Sequence, residues 1–176
     1  AATMSSRLGM KTALVTFNKK DIGTLSCNPA MGGLGKGHLI REIDALGGLI
    51  GRSSDLSGIQ FRVLNRTRGE AVQGPRAQID RHKYKKNMLE LLDRENIHFI
   101  LDEVLDIKIS TEYNQKTVKG LTLQVAGDIL CRSLVITTGT FLGGMIYQGG
   151  ESWPAGRIGA KPSIKLSNFF KLNEFK

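Results

Sequence analysis

The sequence is poor in several things that would each point to a particular class of protein. It has 2 cysteines in 176 residues, too few for a disulfide-stapled scaffold. That usage fits a reducing compartment such as cytosol or mitochondrial matrix. Aromatic residues make up only 6%, with a single tryptophan, so stacking platforms for single-stranded RNA are sparse. No run approaches the ~20 apolar residues of a membrane-spanning helix. Histidines are few and scattered, at His38, His82 and His98, and they form no cluster with Cys27 or Cys131 at metal-ligand spacing. No metal site is expected. Acidic residues are outnumbered, 16 against 25 Lys+Arg, for a net charge of +9. That balance favours an anionic partner such as a nucleotide, tRNA or an acidic protein. What the chain does have is apolar content, at 40%, and length enough for a buried core.

Periodicity and turn signals outline an α/β chain. Ala1 to Leu8 reads as a helix capped by Gly9, and Thr12 to Phe17 as a strand. A helix running at once into a strand is the second half of a βαβ unit, so the chain reads as a fragment whose first strand and Gly-rich turn lie upstream. The other end, Asn168 to Lys176, carries no capping or turn signal. A loop with five glycines between 23 and 37 precedes a helix from His38 to Leu46, with Leu39, Ile40, Ile43 and Leu46 as its apolar face. Residues 49–75 read mostly as loop. Arg76 to Asn96 reads as one helix, with Ile79, Met88, Leu89, Leu91 and Leu92 inward. Ile97 to Ile109 is strand-like. Val118 to Val125 and the segment from Ile129 form a hairpin about Ala126-Gly-Asp128. Leu134 to Thr137 reads as a short apolar strand ending in Thr138-Gly-Thr140.

Gly32-Gly-Leu-Gly-Lys-Gly37 is not a Walker A loop, because Ala30 and Gly37 stand where Gly and Ser/Thr are required. It also fails G-x-G-x-x-G, since His38 holds the last place. What it offers is backbone that a ligand can approach closely, followed by a helix start with N–H groups that favour anions. A tight strand-to-helix connection is the plain alternative. Cys27 lies just before this loop with Lys36 nearby in sequence, an arrangement that favours thiolate and makes it the candidate nucleophile. The alternative is a small packed residue. Cys131, entering a strand, reads as packing. From Arg62 to Lys86 eight positive residues stand against Glu70 and Asp80, leaving +6. Phosphate contact and an ordinary solvated face both fit that stretch.

Longer blocks resemble one family. Ser26-Cys-Asn-Pro-Ala-Met-Gly-Gly-Leu-Gly-Lys-Gly-His-Leu39, Glu42-Ile-Asp-Ala-Leu-Gly-Gly48, Gly58-Ile-Gln-Phe61, Gly74-Pro-Arg-Ala-Gln-Ile-Asp-Arg81, Thr138-Gly-Thr-Phe-Leu142 and Ala155-Gly-Arg157 are similar to the MnmG (GidA) family across nearly the whole chain. The resemblance implies a partial Rossmann-like FAD-binding domain over residues 1–176, of the two-dinucleotide-binding flavoprotein type, with a β-hairpin or β-meander insertion. The N-terminal Gly-rich loop and the C-terminal domains would be missing. It implies FAD-dependent installation of an aminomethyl-type group, carboxymethylaminomethyl or taurinomethyl, on C5 of the wobble uridine of tRNA. NADH and a folate one-carbon donor would serve the full-length enzyme, a homodimer working with an MnmE-type GTPase. The 176 residues alone are expected to be inactive and to bind FAD weakly or not at all. By the same resemblance Cys27 is catalytic, Val104, Thr138, Gly139, Thr140 and Ser163 meet the FAD, and the Arg76–Arg81 block lies near the flavin or the tRNA; Arg76, Arg81 and Lys85, all in the basic stretch, are the candidate nucleic-acid contacts. Glu70 and Gln73 depart from the residues common in relatives, and Thr16-Phe-Asn18 offers no acid for a ribose. The Lys/Asn-rich segments around Tyr113 and Phe169 suggest a mitochondrial member, with a bacterial cytoplasmic one as the alternative. Two rivals remain: a folate- and FAD-dependent tRNA uridine methyltransferase, and a non-catalytic RNA- or partner-binding fragment.

Overall fold

The computed structural model describes residues 1–113 and 115–173, which form two compact units divided after Ile100. In the first unit, α1 (Ala2–Arg7) leads into β1 (Thr12–Thr16). Gly9, at φ 81°, closes α1 in a Schellman arrangement: its N–H reaches the Ser6 carbonyl and that of Met10 the Ser5 carbonyl. The helix, cap and strand read from the sequence are all present. β2 (Ala30–Gly32) is followed by α2 (Lys36–Ala45), α3 (Leu49–Ser57), β3 (Gly58–Leu64), β4 (Gly74–Ile79), α4 (Arg81–Asp93) and β5 (Ile97–Leu101). β1 pairs with β5, while β2, β4 and β3 form an antiparallel sheet with β4 in the centre.

Several expectations are corrected here. Residues 49–75 are not mostly loop, because α3 and β3 occupy most of them. The buried face of α3 is Leu49, Ser53, Ser54 and Ser57, a serine stripe that apolar periodicity cannot register. The serines replace apolar contacts with back-bonds: Ser54 Oγ donates to the Ile50 carbonyl at 2.6 Å and Ser57 Oγ to the Ser53 carbonyl at 2.5 Å. Arg76–Asn96 is not one helix. Arg76 to Ile79 belong to β4, and Asp80 starts α4 afresh by accepting from the His82 and Lys83 N–H groups at 2.9 and 3.0 Å. Those donors hold the Asp80 carboxyl below its usual range, Lys83 most strongly. On α2 the expected apolar face is mostly outward: Leu39 is 60% exposed and Leu46 69%, and only Ile40 packs on the core. The core lies instead around α4, which packs on α3: Tyr84, Met88, Leu91 and Leu92 are buried together with Leu49 of α3, Ile79 of β4 and Ile97 of β5, and Leu89 is only half-buried. Each large side chain buried there contributes roughly 1.5–3 kcal/mol.

The second unit opens with a meander of β6 (Val104–Glu112), β7 (Gln115–Leu123) and β8 (Gly127–Leu130), antiparallel in that order. This is the hairpin region expected from the alternation, with Ile97–Ile109 split between β5 and β6. Asp102 is buried and organises the opposite turn: its carboxylate accepts from the N–H groups of Glu103, Val125 and Ala126 at 2.7 to 3.2 Å. Those donors, Ala126 first, hold its pKa low. A hairpin of β9 (Met145–Gln148) and β10 (Glu151–Pro154) follows, then α5 (Ile164–Leu172), which packs on β6. Leu134–Thr137 is not a strand. No described strand pairs with it, and Val135 is 67% exposed. Without a ladder partner, apolar character alone does not make a strand. The sequence after Asn173 lies outside the described residues.

Candidate functional site

In the first unit the Cys27 loop is held from both sides by β4 and α4. The Pro29 carbonyl accepts the Ile79 N–H at 2.7 Å, and the Gly33 N–H donates to the Pro75 carbonyl at 3.0 Å. Arg81, the first residue of α4, donates from Nη2 to the Cys27 carbonyl, and Lys36 Nζ donates to the Ala30 carbonyl at 2.8 Å. The loop is thus fixed by backbone while its cysteine stays free and exposed. Gly32 is what allows this closeness. Its φ is 113°, and a Cβ there would collide with the Pro75 carbonyl and the Arg76 Cα. Cys27, Asn28, Gly32, Gly33, Lys36 and Arg76 line an open pocket of about 320 Å³.

The start of α2 differs from the sequence reading. The Lys36 N–H is bonded to the Leu34 carbonyl at 2.8 Å and that of Gly37 to the Gly33 carbonyl at 2.9 Å. Two of the donors expected to face an anion are therefore used within the turn. Positive charge at the pocket comes from side chains instead. Gly32 and Arg76 also border a second, adjoining pocket of about 360 Å³, whose rim carries Arg41, Arg62 and Arg66. Arg62, Arg66 and Arg76 belong to the basic stretch read from the sequence, whereas Arg41 lies outside it and the convergence of the four on one rim is not visible there. Phe61-Arg62-Val63 carries a period-two signal that could have shown β3, but arginine-rich surroundings led to a loop reading.

Of the residues expected to meet tRNA, Arg76 lies in β4 at the meeting of the two pockets and Arg81 is engaged with the Cys27 carbonyl. Lys85 sits one turn further along α4, against Gly23. The structure therefore brings Cys27, Arg76 and Arg81 together and leaves Lys85 aside.

The expected flavin contacts lie in the second unit. Thr138 precedes a 3₁₀ turn, Gly139–Phe141, and Thr140 Oγ1 donates to the Gly156 carbonyl at 2.9 Å. Ser163 is buried at the start of α5. Its N–H donates to the Phe141 carbonyl at 2.8 Å, and its carbonyl accepts from Gly143 at 3.1 Å. The Thr138–Thr140 turn and Ser163 are thereby joined through Phe141. Val104 begins β6 opposite Leu123, and that strand packs against the helix Ser163 precedes. Gly139, at φ 57°, has open space where a side chain would stand, so a planar or phosphorylated ligand can approach its backbone. Thr138 to Thr140 fit a flavin nucleotide on that ground. Ser163 has both backbone groups engaged and could reach a ligand only through Oγ. Cys131 is half-buried, and burial pushes its thiol pKa up, which suits packing rather than nucleophilic work. Among the described residues no group of three or more His, Cys, Asp or Glu side chains could hold a metal ion, and no helix is long and apolar enough to cross a membrane.

The α/β architecture, with its β1–β5 pair, adjoining helices and three-stranded meander, is of the Rossmann-like class. The family model for glucose inhibited division protein A matches residues 1–176, and the chain belongs to that family. It is 45% identical over 177 aligned positions to the tRNA uridine 5-carboxymethylaminomethyl modification enzyme MnmG of Sulfurihydrogenibium sp., covering all of this chain and 28% of that protein. Against the protein of the same name from Aquifex aeolicus the identity is 43%, over 99% of this chain and 28% of the relative. A crystal structure of Aquifex aeolicus GidA superposes with a TM-score of 0.88 at 42% identity, over 99% of this chain and 28% of that one. The chain thus spans a little over a quarter of the length of these relatives.

Proposed function

We propose that this chain is the Cys27-bearing part of an FAD-binding domain in an enzyme that modifies C5 of the wobble uridine of tRNA. The observation that carries the reading is an exposed thiol on a loop pinned by backbone bonds, opening on a pocket with Lys36 and Arg76. The names of its relatives supply the substrate class.

C5 of uracil is a weak nucleophile. Addition of the Cys27 thiolate to C6 forms a C–S bond and moves the ring electrons onto O4, leaving C5 enolate-like. C5 then attacks a methylene electrophile derived from a folate one-carbon donor. Loss of the C5 proton and expulsion of the thiolate restore the ring. The rigid loop keeps sulfur in place for both steps, because Arg81 and Lys36 hold its backbone rather than its thiol. In this reading Arg76 faces the tRNA beside Cys27, Lys85 a more distant part of it, and Arg81 holds the loop through the Cys27 carbonyl. Thr138, Gly139 and Thr140, with Val104 and Ser163, hold FAD, which supplies the redox chemistry of the methylene group when bound.

NADH as reductant, an MnmE-type GTPase as partner and a homodimeric state belong to the same proposal, for the whole protein. Carboxymethylaminomethyl, the group in the relatives' names, is the modification proposed. The relatives named are bacterial, which favours the bacterial cytoplasm over the mitochondrial setting suggested by composition.

The test is Cys27→Ser in the complete protein, assayed for tRNA modification and flavin absorbance. Modification should fall by at least about a thousandfold, with flavin content unchanged. Loss of flavin together with activity would make Cys27 a packing residue and remove the nucleophile from the proposal.

A further inference from the structure

The pocket beside the Cys27 pocket carries positive charge that the fold does not use. Arg62 on β3 and Arg76 on β4 are direct register partners, Arg62 opposite Arg76. Like charges at directly opposed strand positions destabilise a sheet. Arg41 from α2 and Arg66 from the loop after β3 reach the same rim. None of the four guanidinium groups makes a hydrogen bond or ion pair among the described residues; ion pairs are found elsewhere, those of Arg7, Lys19, Lys86, Lys108 and Lys119 among them. Asp55 is the one acid on the rim, and it pairs with none of them. Beside Arg62, Phe61 packs its ring edge over Gly58 yet is 60% exposed, offering an aromatic face to an unpaired base.

We propose that this pocket seats the phosphate backbone of single-stranded RNA next to the nucleotide presented to Cys27, with Arg62 and Arg76 as a two-pronged clamp on one phosphate and Arg41 and Arg66 on its neighbours. Guanidinium groups bind phosphate oxygens through paired N–H donors, and a bound phosphate turns the Arg62–Arg76 repulsion into attraction. The two pockets meet at Gly32 and Arg76, so a strand held in one is carried to the other. Four cations with one acid suit a polymer bearing one charge per nucleotide better than a single dinucleotide. The inference rests on the tRNA reading above and adds to it the residues that position the strand.

The experiment measures binding of a tRNA anticodon stem-loop to the complete protein across a salt series, with flavin absorbance and thermal midpoint followed in parallel. Arg62→Ala should weaken binding on the order of tenfold and lower the slope of log affinity against log salt by about 0.7. Arg62→Lys should restore the slope but only part of the affinity, having the charge without the fork. The midpoint of the RNA-free Arg62→Ala protein should hold or rise, since a like-charge pair is removed. Tight RNA binding by the unsubstituted protein together with unchanged affinity and slope in Arg62→Ala would overturn the pocket assignment alone. A fall in midpoint or loss of flavin accompanying weaker binding would overturn it too, by making Arg62 a structural or cofactor residue. No RNA binding by the unsubstituted protein would overturn the tRNA reading itself.

Discussion

At the scale of single residues, the site depends on one glycine more than on any charged group. Gly32 lets β2 pass against Pro75 and Arg76, which sets the Cys27 loop on one side and the arginine rim on the other. Gly32→Ala combines an unfavourable positive φ with a collision against backbone that has no freedom to yield. It should cost about 3 kcal/mol, measured by denaturant unfolding of the complete protein. An unchanged unfolding midpoint would mean that the close approach is not needed. Cys27 and the glycine cluster stand out in the sequence, but which glycine the packing requires does not: only the approach of the Pro75 carbonyl singles out Gly32. The role of Arg81 is not legible there either: its sequence position suggests a phosphate contact, whereas its Nη2 is bonded to the Cys27 carbonyl. Nothing in a linear sequence shows which main-chain carbonyl will lie opposite an arginine 54 residues away.

At the scale of elements, α4 couples the core to the site. Its N-cap Asp80 and first residue Arg81 border the Cys27 loop, and its inner face carries Tyr84, Met88, Leu91 and Leu92. The Tyr84 phenol is pushed up to about 12 by burial, from an ordinary value of 10.0. Its raised folded-state pKa gives stability that is complete below pH 10, where the unfolded chain also keeps the proton. That contribution is lost as pH rises through about 12, because the unfolded chain ionises first. Unfolding free energy should therefore fall between these values, and Tyr84→Phe should flatten that part of the profile, followed by denaturant titration at successive pH values. An identical alkaline profile in Tyr84→Phe would contradict the burial assigned to this ring. β1 and the β7–β8 hairpin are readable from their apolar pattern, and α1 from the Gly9 that closes it. α3 and β3 are not. The buried face of α3 is serine, and β3 exposes Phe61 and Arg62 to a pocket instead of alternating core with solvent. Only the departure in β3 falls at the pocket, where a ligand rather than a core partner is the neighbour; the α3 serines pack on α4, Ser53 Oγ donating to the Tyr84 carbonyl at 3.2 Å.

At the scale of the whole molecule, the first unit carries a pinned thiol beside a basic pocket and the second a glycine-bearing turn with open space at its backbone, which in the proposed reading are two parts of a larger flavin-dependent enzyme. The α/β class and the meander were expected from alternation and turn residues, and family membership from long motif blocks. The excess of positive charge was visible as composition, but its placement was not, since Arg41, Arg62, Arg66 and Arg76 come from three elements and a loop. The most direct test of the account is mass spectrometry of wobble uridines in tRNA from cells lacking the gene, with restoration by the unsubstituted gene or by its Cys27→Ser form. The account predicts that the C5-aminomethyl modification disappears on deletion, returns with the unsubstituted gene and stays absent with Cys27→Ser. Wobble uridines that remain modified in the deletion strain would contradict it.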